Sequence, residues 1–381
     1  MRKKSLFLVA IGALLLGSCS NDEENLAVKS GTPATLSLTL TGTNADTRAL
    51  GSTSTPTLIE ENKIQTIVVG LFKTDNSTDV IYELSYPSGY TASTPINVTG
   101  RIIQGSGDSG FRNIIVVANA PNNHFSGIAT KSAFENRVIA LTQTKDKLPM
   151  TGTATVTLQA NQTVNLTTPI PITRLVARIN LISLKTDFES GGQYASSTFH
   201  ADEIFLYNAM SNCTVNGVYT DPVHGWVSTP PYHGVTGLYD DVNLATPINY
   251  PSTTGDFHYF YTFPNLFPAS ITQSFLDGPF TGYTRLVIGG TFDVDGDGST
   301  LGDQNRVYYP VIVNRVGLEA NLNIPAGIGI GVKRNTVYKV AVTIKNKGVD
   351  NPEIVIDPAF LKITVTPQDW DVTIPEQIVI F

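Results

Sequence analysis

The sequence predicts an all-β chain, built as two antiparallel β-sandwiches in tandem. Short runs rich in Val, Ile, Thr and aromatic residues recur along it, separated by Gly, Pro, Asn and Asp, which is how strands and their turns read. No segment carries a long apolar stripe of helical period. With 381 residues, the chain is long enough for two such units. Only 15% of the residues are charged, the net charge is −7, and no basic patch occurs. That balance argues against a nucleic-acid partner.

The chain opens on Arg2, Lys3 and Lys4, followed by an apolar stretch from Leu6 to Leu16. This stretch is too short to span a bilayer and has the layout of a signal peptide. Leu16-Gly17-Ser18-Cys19 ends it, and small residues before a cysteine there resemble a bacterial lipobox. The Cys19 thiol would then carry acyl chains, palmitate among them, and become the mature N-terminus. Several chains on one residue anchor durably where a single chain does not. The other reading is a plain secretory signal with an incidental cysteine. Ser20-Asn21-Asp22-Glu23-Glu24 follows; it resembles a surface-export signal of Bacteroidetes lipoproteins and equally suits a solvated linker.

From Thr35 the pattern becomes period two. Leu36, Leu38 and Leu40 alternate with Thr35, Ser37, Thr39 and Thr41, the signature of a half-buried strand. Full burial of these leucines is worth roughly 5–9 kcal/mol, at about 1.5–3 each. A polar loop and Arg48-Ala49 follow. A cut after Arg48 would part both the lipid site and this strand from the rest; the plain alternative is an ordinary first strand with a loop arginine. Residues 1–19 are thus read as signal and 20–48 as a propeptide holding a removable strand.

Further strands are expected at Ile64–Phe72, Asn113–Ala118, Thr153–Leu158, Arg174–Leu184, Ile204–Asn208, Tyr283–Phe292, Val307–Val313, Val337–Ile344 and Leu361–Val365, with a short helix near Ser132–Leu141. Pro169-Ile170-Pro171 interrupts a ladder and divides a first sandwich, 49–170, from a second, 171–381. The cysteines are Cys19 and Cys213; with Cys19 lipidated, Cys213 has no partner and is expected to be a buried, inert thiol. At the C-terminus Val372, Ile374, Ile378 and Ile380 share one face, Glu376 interrupts it, and Val379 and Phe381 lie opposite. An apolar strand ending on the last residue seeks a sheet to join; it is either a strand handed to another molecule or the last strand of its own sandwich.

Four phrases complete the pattern: Ile114–Pro121 (IIVVANAP), Thr173–Leu181 (TRLVARINL), Lys333–Ile344 (KRNTVYKVAVTI, a strand led by a basic turn) and Thr364–Val372 (TVTPQDWDV). With the lipobox and the Arg48 site, their order and spacing resemble the fimbrillins of Bacteroidales, the subunits of type V pili. The resemblance implies transthyretin-like sandwiches and a cell-surface pilus subunit, exported as an outer-membrane lipoprotein. It implies cleavage by an arginine-specific protease at Arg48-Ala49, loss of the strand bearing Leu36, Leu38 and Leu40, and refilling of the groove by another subunit's terminal strand. Here that strand carries Ile374, Ile378, Val379, Ile380 and Phe381. The partners implied are other pilin subunits, the protease and the outer membrane. Tip and anchor subunits share this style of sequence.

Other chemistry is sparse. Asp293, Asp295 and Asp297, with Gly298 sixth, resemble the start of an EF-hand calcium loop. Gln304 stands where the twelfth-place Glu belongs, and Asp303 is shifted by one, which favours an acidic turn. Calcium is the one ion considered; no other cofactor is expected. Trp226, Tyr232, Tyr239, Tyr250 and the run His258–Phe263 suit either a glycan platform, making the protein a carbohydrate-binding surface lipoprotein, or a packed core. His124, His200, His224, His233 and His258 show no metal spacing, and there is no glycine-rich phosphate loop. No enzymatic activity is expected.

Overall fold

The computed structural model describes residues 31–42, 58–90, 94–102, 107–141, 144–210, 212–218, 258–267, 284–298, 303–314, 330–352, 354 and 361–370, the last stretch by backbone alone up to Trp370. Strands dominate it, as expected.

The first half is built on a six-stranded and a three-stranded sheet. The three-stranded sheet places β1 (Thr32–Leu38) between β5 (Ile96–Ile102), antiparallel, and β9 (Thr163–Asn165), parallel. The six-stranded sheet runs β2 (Leu40–Gly42), β10 (Ile170–Arg174), β8 (Met150–Thr157), β6 (Phe111–Ala118), β3 (Thr66–Phe72) and β4 (Thr78–Ser85). The segment 32–42 therefore belongs to both sheets, crossing from one to the other at Thr39. Between them lies a core that includes Leu36, Leu38, Leu40, Val69, Val98 and Val116. Ile67, Val69 and Leu71 face this core while Val68 and Phe72 face a second one. Burial on both faces explains the unbroken apolar runs of β3 and β6, where one-sided burial would give alternation.

The second half pairs a four-stranded sheet with a three-stranded one. The former runs β14 (His258–Thr262), β11 (Ala177–Thr186), β19 (Thr336–Ile344) and β20 (Leu361–Asp369); the latter runs β12 (Thr198–Tyr207), β16 (Arg285–Asp293) and β17 (Gln304–Ile312). Ile179, Leu181, Ile204, Leu286, Ile288 and Val340 belong to the core they share. β20 lies antiparallel along β19 from Leu361 opposite Ile344 to Asp369 opposite Thr336. Two ribbons complete the set: β7 (Val138–Ala140) with β13 (Asn212–Thr214), and β15 (Asn265–Phe267) with β18 (Ile330–Val332).

Three expectations are corrected. The run Arg174–Leu184 is not one strand: β10 ends at Arg174, and buried Leu175 and Val176 carry the chain into β11 of another sheet. Pro169–Pro171 does not interrupt a ladder, because β10 lies at that point along the short strand β2, with Ile170 opposite Leu40. The helix near Ser132–Leu141 stops early. Thr130 caps α2 (Lys131–Glu135), Asn136 closes it, and Val138–Ala140 turns extended to pair with the strand bearing Cys213. The helix before β3 is α1 (Leu58–Glu61).

Candidate functional site

The N-terminal strand is seated as an internal element. Leu36 lies opposite Val98 on one side and Val164 on the other; Leu38 lies opposite Ile96. Leu36, Leu38 and Leu40 are each no more than 1% exposed, while Thr35, Ser37 and Thr39 are half-buried. The backbone is paired along both edges. Thr35 N–H donates to the Gln162 carbonyl (2.9 Å), Leu166 N–H to Ser37 (2.8 Å) and Ile170 N–H to Thr39 (2.9 Å). Leu40 N–H donates to the Tyr90 hydroxyl at 3.1 Å. Lifting out residues 32–42 would divide β5 from β9 and open a trench floored by the core residues above. Arg48 and Ala49 fall outside the described residues, as does Cys19.

Past the segment that holds Arg48, α1 delivers Glu61 to the junction between the halves, where it is wholly buried. Its carboxylate accepts from Arg178 Nη1 (2.6 Å), the Tyr261 hydroxyl (2.7 Å) and Trp370 Nε1 (2.9 Å). A buried carboxylate is tolerable only with such donors around it. Burial, with the Glu61 charge beside it, pushes the Tyr261 phenol well above its ordinary range. Tyr261 stacks on the Trp370 ring, with centroids 6.0 Å apart and planes at 7°. Arg174 covers that ring at 4.6 Å and also bonds Asn62. Trp370 N–H donates to the Asn335 carbonyl at 3.1 Å. One carboxylate thus gathers β11, β14 and the end of β20. Trp370 immediately precedes the tail; Ile374, Ile378, Val379, Ile380 and Phe381 lie outside the described residues. Neither Glu61 nor its partners stand out in the sequence, because their meeting spans 309 residues; the one signal is a tryptophan in the otherwise polar stretch Pro367–Asp371.

At the end of β16 the Asp293 carboxylate accepts from the N–H groups of Gly296 and Gly298, both at 2.9 Å. Burial raises its pKa, but these bonds outweigh that and hold it below the usual carboxylate range. Gly296, at φ 73°, is required here, since a Cβ would come within 2.1 Å of the Ser196 carbonyl oxygen. One oxygen each from Asp293, Asp295, Asp297 and Asp303 lies within 4.8 Å of the others. The aspartate shifted by one place therefore joins the cluster, a set of hard oxygen ligands of the kind calcium takes.

The aromatic run is core where it is described. Tyr259, Phe260, Tyr261 and Phe263 are at most 6% exposed and are shared between two cores, so this stretch presents no glycan platform. Trp226, Tyr232, Tyr239 and Tyr250 lie outside the described residues. Cys213 is buried, and its thiol is pushed up to about 12 by desolvation. His124 is half-buried and His200 is exposed.

Comparison with known proteins places this architecture. Residues 34–190 match the family described as "Major fimbrial subunit protein (FimA)". The "Putative fimbrium tip subunit Fim1C" of Parabacteroides distasonis is 27% identical over 222 residues, covering 54% of this chain and 56% of that protein. The match thus spans a little over half the length of that curated relative. The fimbrilin FimA of Porphyromonas gingivalis W83 superposes over 89% of this chain and 98% of its own, with a TM-score of 0.61 at 22% identity. A "putative cell adhesion protein" from Parabacteroides distasonis superposes over 91% and 99%, with a TM-score of 0.59 at 17% identity. The resemblance to the fimbrillins read from the sequence holds: the first half carries the family's sequence pattern, and the fold is the fimbrilin fold.

Proposed function

We propose that this relative of the fimbrial subunits is a structural subunit of a surface pilus that assembles by strand exchange. It reaches the outer membrane as a lipoprotein through Cys19 and is cut between Arg48 and Ala49. It loses the strand bearing Leu36, Leu38 and Leu40 and offers its C-terminal strand to the vacated trench of another copy or a related pilin. The observation that carries this reading is the seating of residues 32–42: β1 lies between β5 and β9, the segment continues as the edge strand β2 beside β10, and its covalent tie to the body runs through the segment holding Arg48. The tail has a related alternation, with Val372 and Ile374, then Ile378 and Ile380, on one face interrupted by Glu376, where Ala34, Leu36, Leu38 and Leu40 are unbroken.

Site choice within the first half also supports Arg48. Arg112 is wholly buried, held by Asp79 at 2.6 Å and by Asp108 at 2.9 Å. Arg101 is fixed within the β5 ladder. Arg137 is exposed, but its N–H donates to the Phe134 carbonyl and its own carbonyl accepts from the Val215 N–H, both at 3.1 Å. A protease needs extended, unpaired backbone, which none of the three offers. The Asp293 loop is proposed as an accessory calcium site that stiffens the turn between β16 and β17.

The test is an Arg48→Ala precursor treated with an arginine-specific protease beside wild type. Wild type should form filaments and the variant should stay monomeric; equal filament yield would refute the reading. A terminal position is the second reading, favoured by the likeness to Fim1C. Antibody labelling separates the two, since a stalk subunit is decorated along the filament and a tip subunit at one end.

A further inference from the structure

The basic turn before β19 plays no part in this assembly scheme. Arg334 sits in that turn, and the turn is pinned from several sides. Asn335, at φ 53°, donates its N–H to the Val176 carbonyl at 2.8 Å and accepts from Trp370. The Thr336 hydroxyl donates to the Arg334 carbonyl at 3.1 Å. The arginine side chain therefore leaves from a fixed point. Its guanidinium runs beside Gly217, where a Cβ would lie 2.9 Å from Nη1, so the glycine makes room for it. Nη2 donates to the hydroxyls of Thr151 (3.3 Å) and Thr173, which face each other across β8 and β10.

The charge on Arg334 is not matched. Arg112, Arg178 and Arg306 each hold a carboxylate, whereas no carboxylate among the described residues pairs with Arg334. Burial lowers its pKa from the usual arginine value, so among the described residues a partly buried cation stands without a paired carboxylate. The guanidinium borders an open cavity of about 350 Å³, lined also by Ile115, Thr153, Pro171, Val215 and Asn216. This volume is at the low end for small-ligand sites.

We propose that this cavity binds an acidic sugar residue, its carboxylate on Nη1 of Arg334. With Nη2 held by the two threonine hydroxyls, Nη1 is the guanidinium donor left for a charge-assisted hydrogen bond to a carboxylate. Thr153 offers a hydroxyl and Asn216 its amide NH2 to ring hydroxyls, and exposed Pro171, backed by the buried Ile115 and Val215, offers apolar surface to a ring face. Glu135 lines the same cavity, and its pairing with Lys131 at 2.9 Å offsets its repulsion of an incoming carboxylate. Pro171 of the cavity wall lies opposite Thr41 of the N-terminal segment, so the titration is run on the uncut chain; the proposal does not rest on strand exchange.

The experiment is calorimetric or NMR titration of the full chain with glucuronate, glucose and acetate. Glucuronate should bind, glucose should not, and acetate should bind at least about tenfold more weakly. Arg334→Ala should weaken glucuronate by about tenfold or more, and Arg334→Lys should fall between, because the charge remains but not the planar donor that the two threonines hold in place. Thr153→Val, on an exposed wall position that leaves the turn intact, should weaken glucuronate and leave acetate unchanged. Wild-type affinity in Arg334→Lys and Thr153→Val together would overturn the proposal, as would glucose binding as well as glucuronate. Acetate binding as tightly as glucuronate would overturn the sugar assignment.

Discussion

Leu38→Ala tests how firmly the first strand is held. Leu38 is 1% exposed and lies opposite Ile96 in the core shared by the two sheets of the first half. Truncating a buried leucine costs about 2–5 kcal/mol, the spread reflecting how far the cavity collapses. In the uncut chain this loss lowers the melting temperature. Once the chain is nicked at Arg48, the strand is held by non-covalent contacts alone, and the same loss acts on its departure. At about 1.4 kcal/mol per tenfold, release should quicken by about thirtyfold to a few thousandfold when the whole loss falls on dissociation. The assay follows the freed propeptide by mass spectrometry after a pulse of arginine-specific protease, with Ser37→Ala, at a half-buried position of the same strand, as the control. Equal release from Leu38→Ala and wild type, with the expected fall in melting temperature, would show that filling of the trench does not govern departure of the strand.

Four further outcomes are expected. Glu61→Ala strands three buried donors and should cost about 3–5 kcal/mol in urea unfolding, with Glu61→Gln costing less because an acceptor remains. Deleting Gln377–Phe381 should leave the melting temperature unchanged and abolish filaments; a large fall in melting temperature would place the tail in its own sheet. Cys213 should resist thiol reagents at pH 8 until the chain unfolds; with a pKa raised from 9.0 to about 12, its stabilising share is complete below pH 9.0 and is lost as pH rises toward about 12. Calcium titration should give heat at millimolar ion in wild type and none in Asp293→Asn; no heat in wild type would remove the calcium assignment.

What was legible in the sequence was local. Leu36, Leu38 and Leu40 alternate because one face of β1 is buried and the other is not, and that contrast is written in consecutive residues. The run Ile114–Val117 is apolar throughout because β6 is covered on both faces. The short helix was over-extended because Arg137–Leu141 keeps helical-looking spacing; only its pairing with a strand some seventy residues on draws Val138–Ala140 into extended form. Leu175-Val176 read as strand because a buried crossing between sheets needs the same apolar residues as a buried strand. Asp303 joins the acidic cluster by loop geometry that spacing alone does not encode. Glu61 was invisible, since its meaning lies in donors from β11, β14 and the end of β20.

The knot around Glu61 has a mechanical side. A tail handed to a neighbour would carry the tension of the whole fibre, and its root is Trp370. Pulling there loads first the indole clamp between Arg174, Tyr261 and Glu61, and only then β20. β20 lies against β19 through nine residue pairs, so a force along its axis shears the ladder and spreads over every rung, whereas a force across it would peel the rungs one at a time. Glu61 ties the same point to α1, at the opening of the first half. The load path would therefore cross from one half to the other at Glu61, beside the covalent run Leu175-Val176 and the Arg174 contact to Asn62, and the failure force of that knot would set the pull a subunit bears before β20 begins to slide.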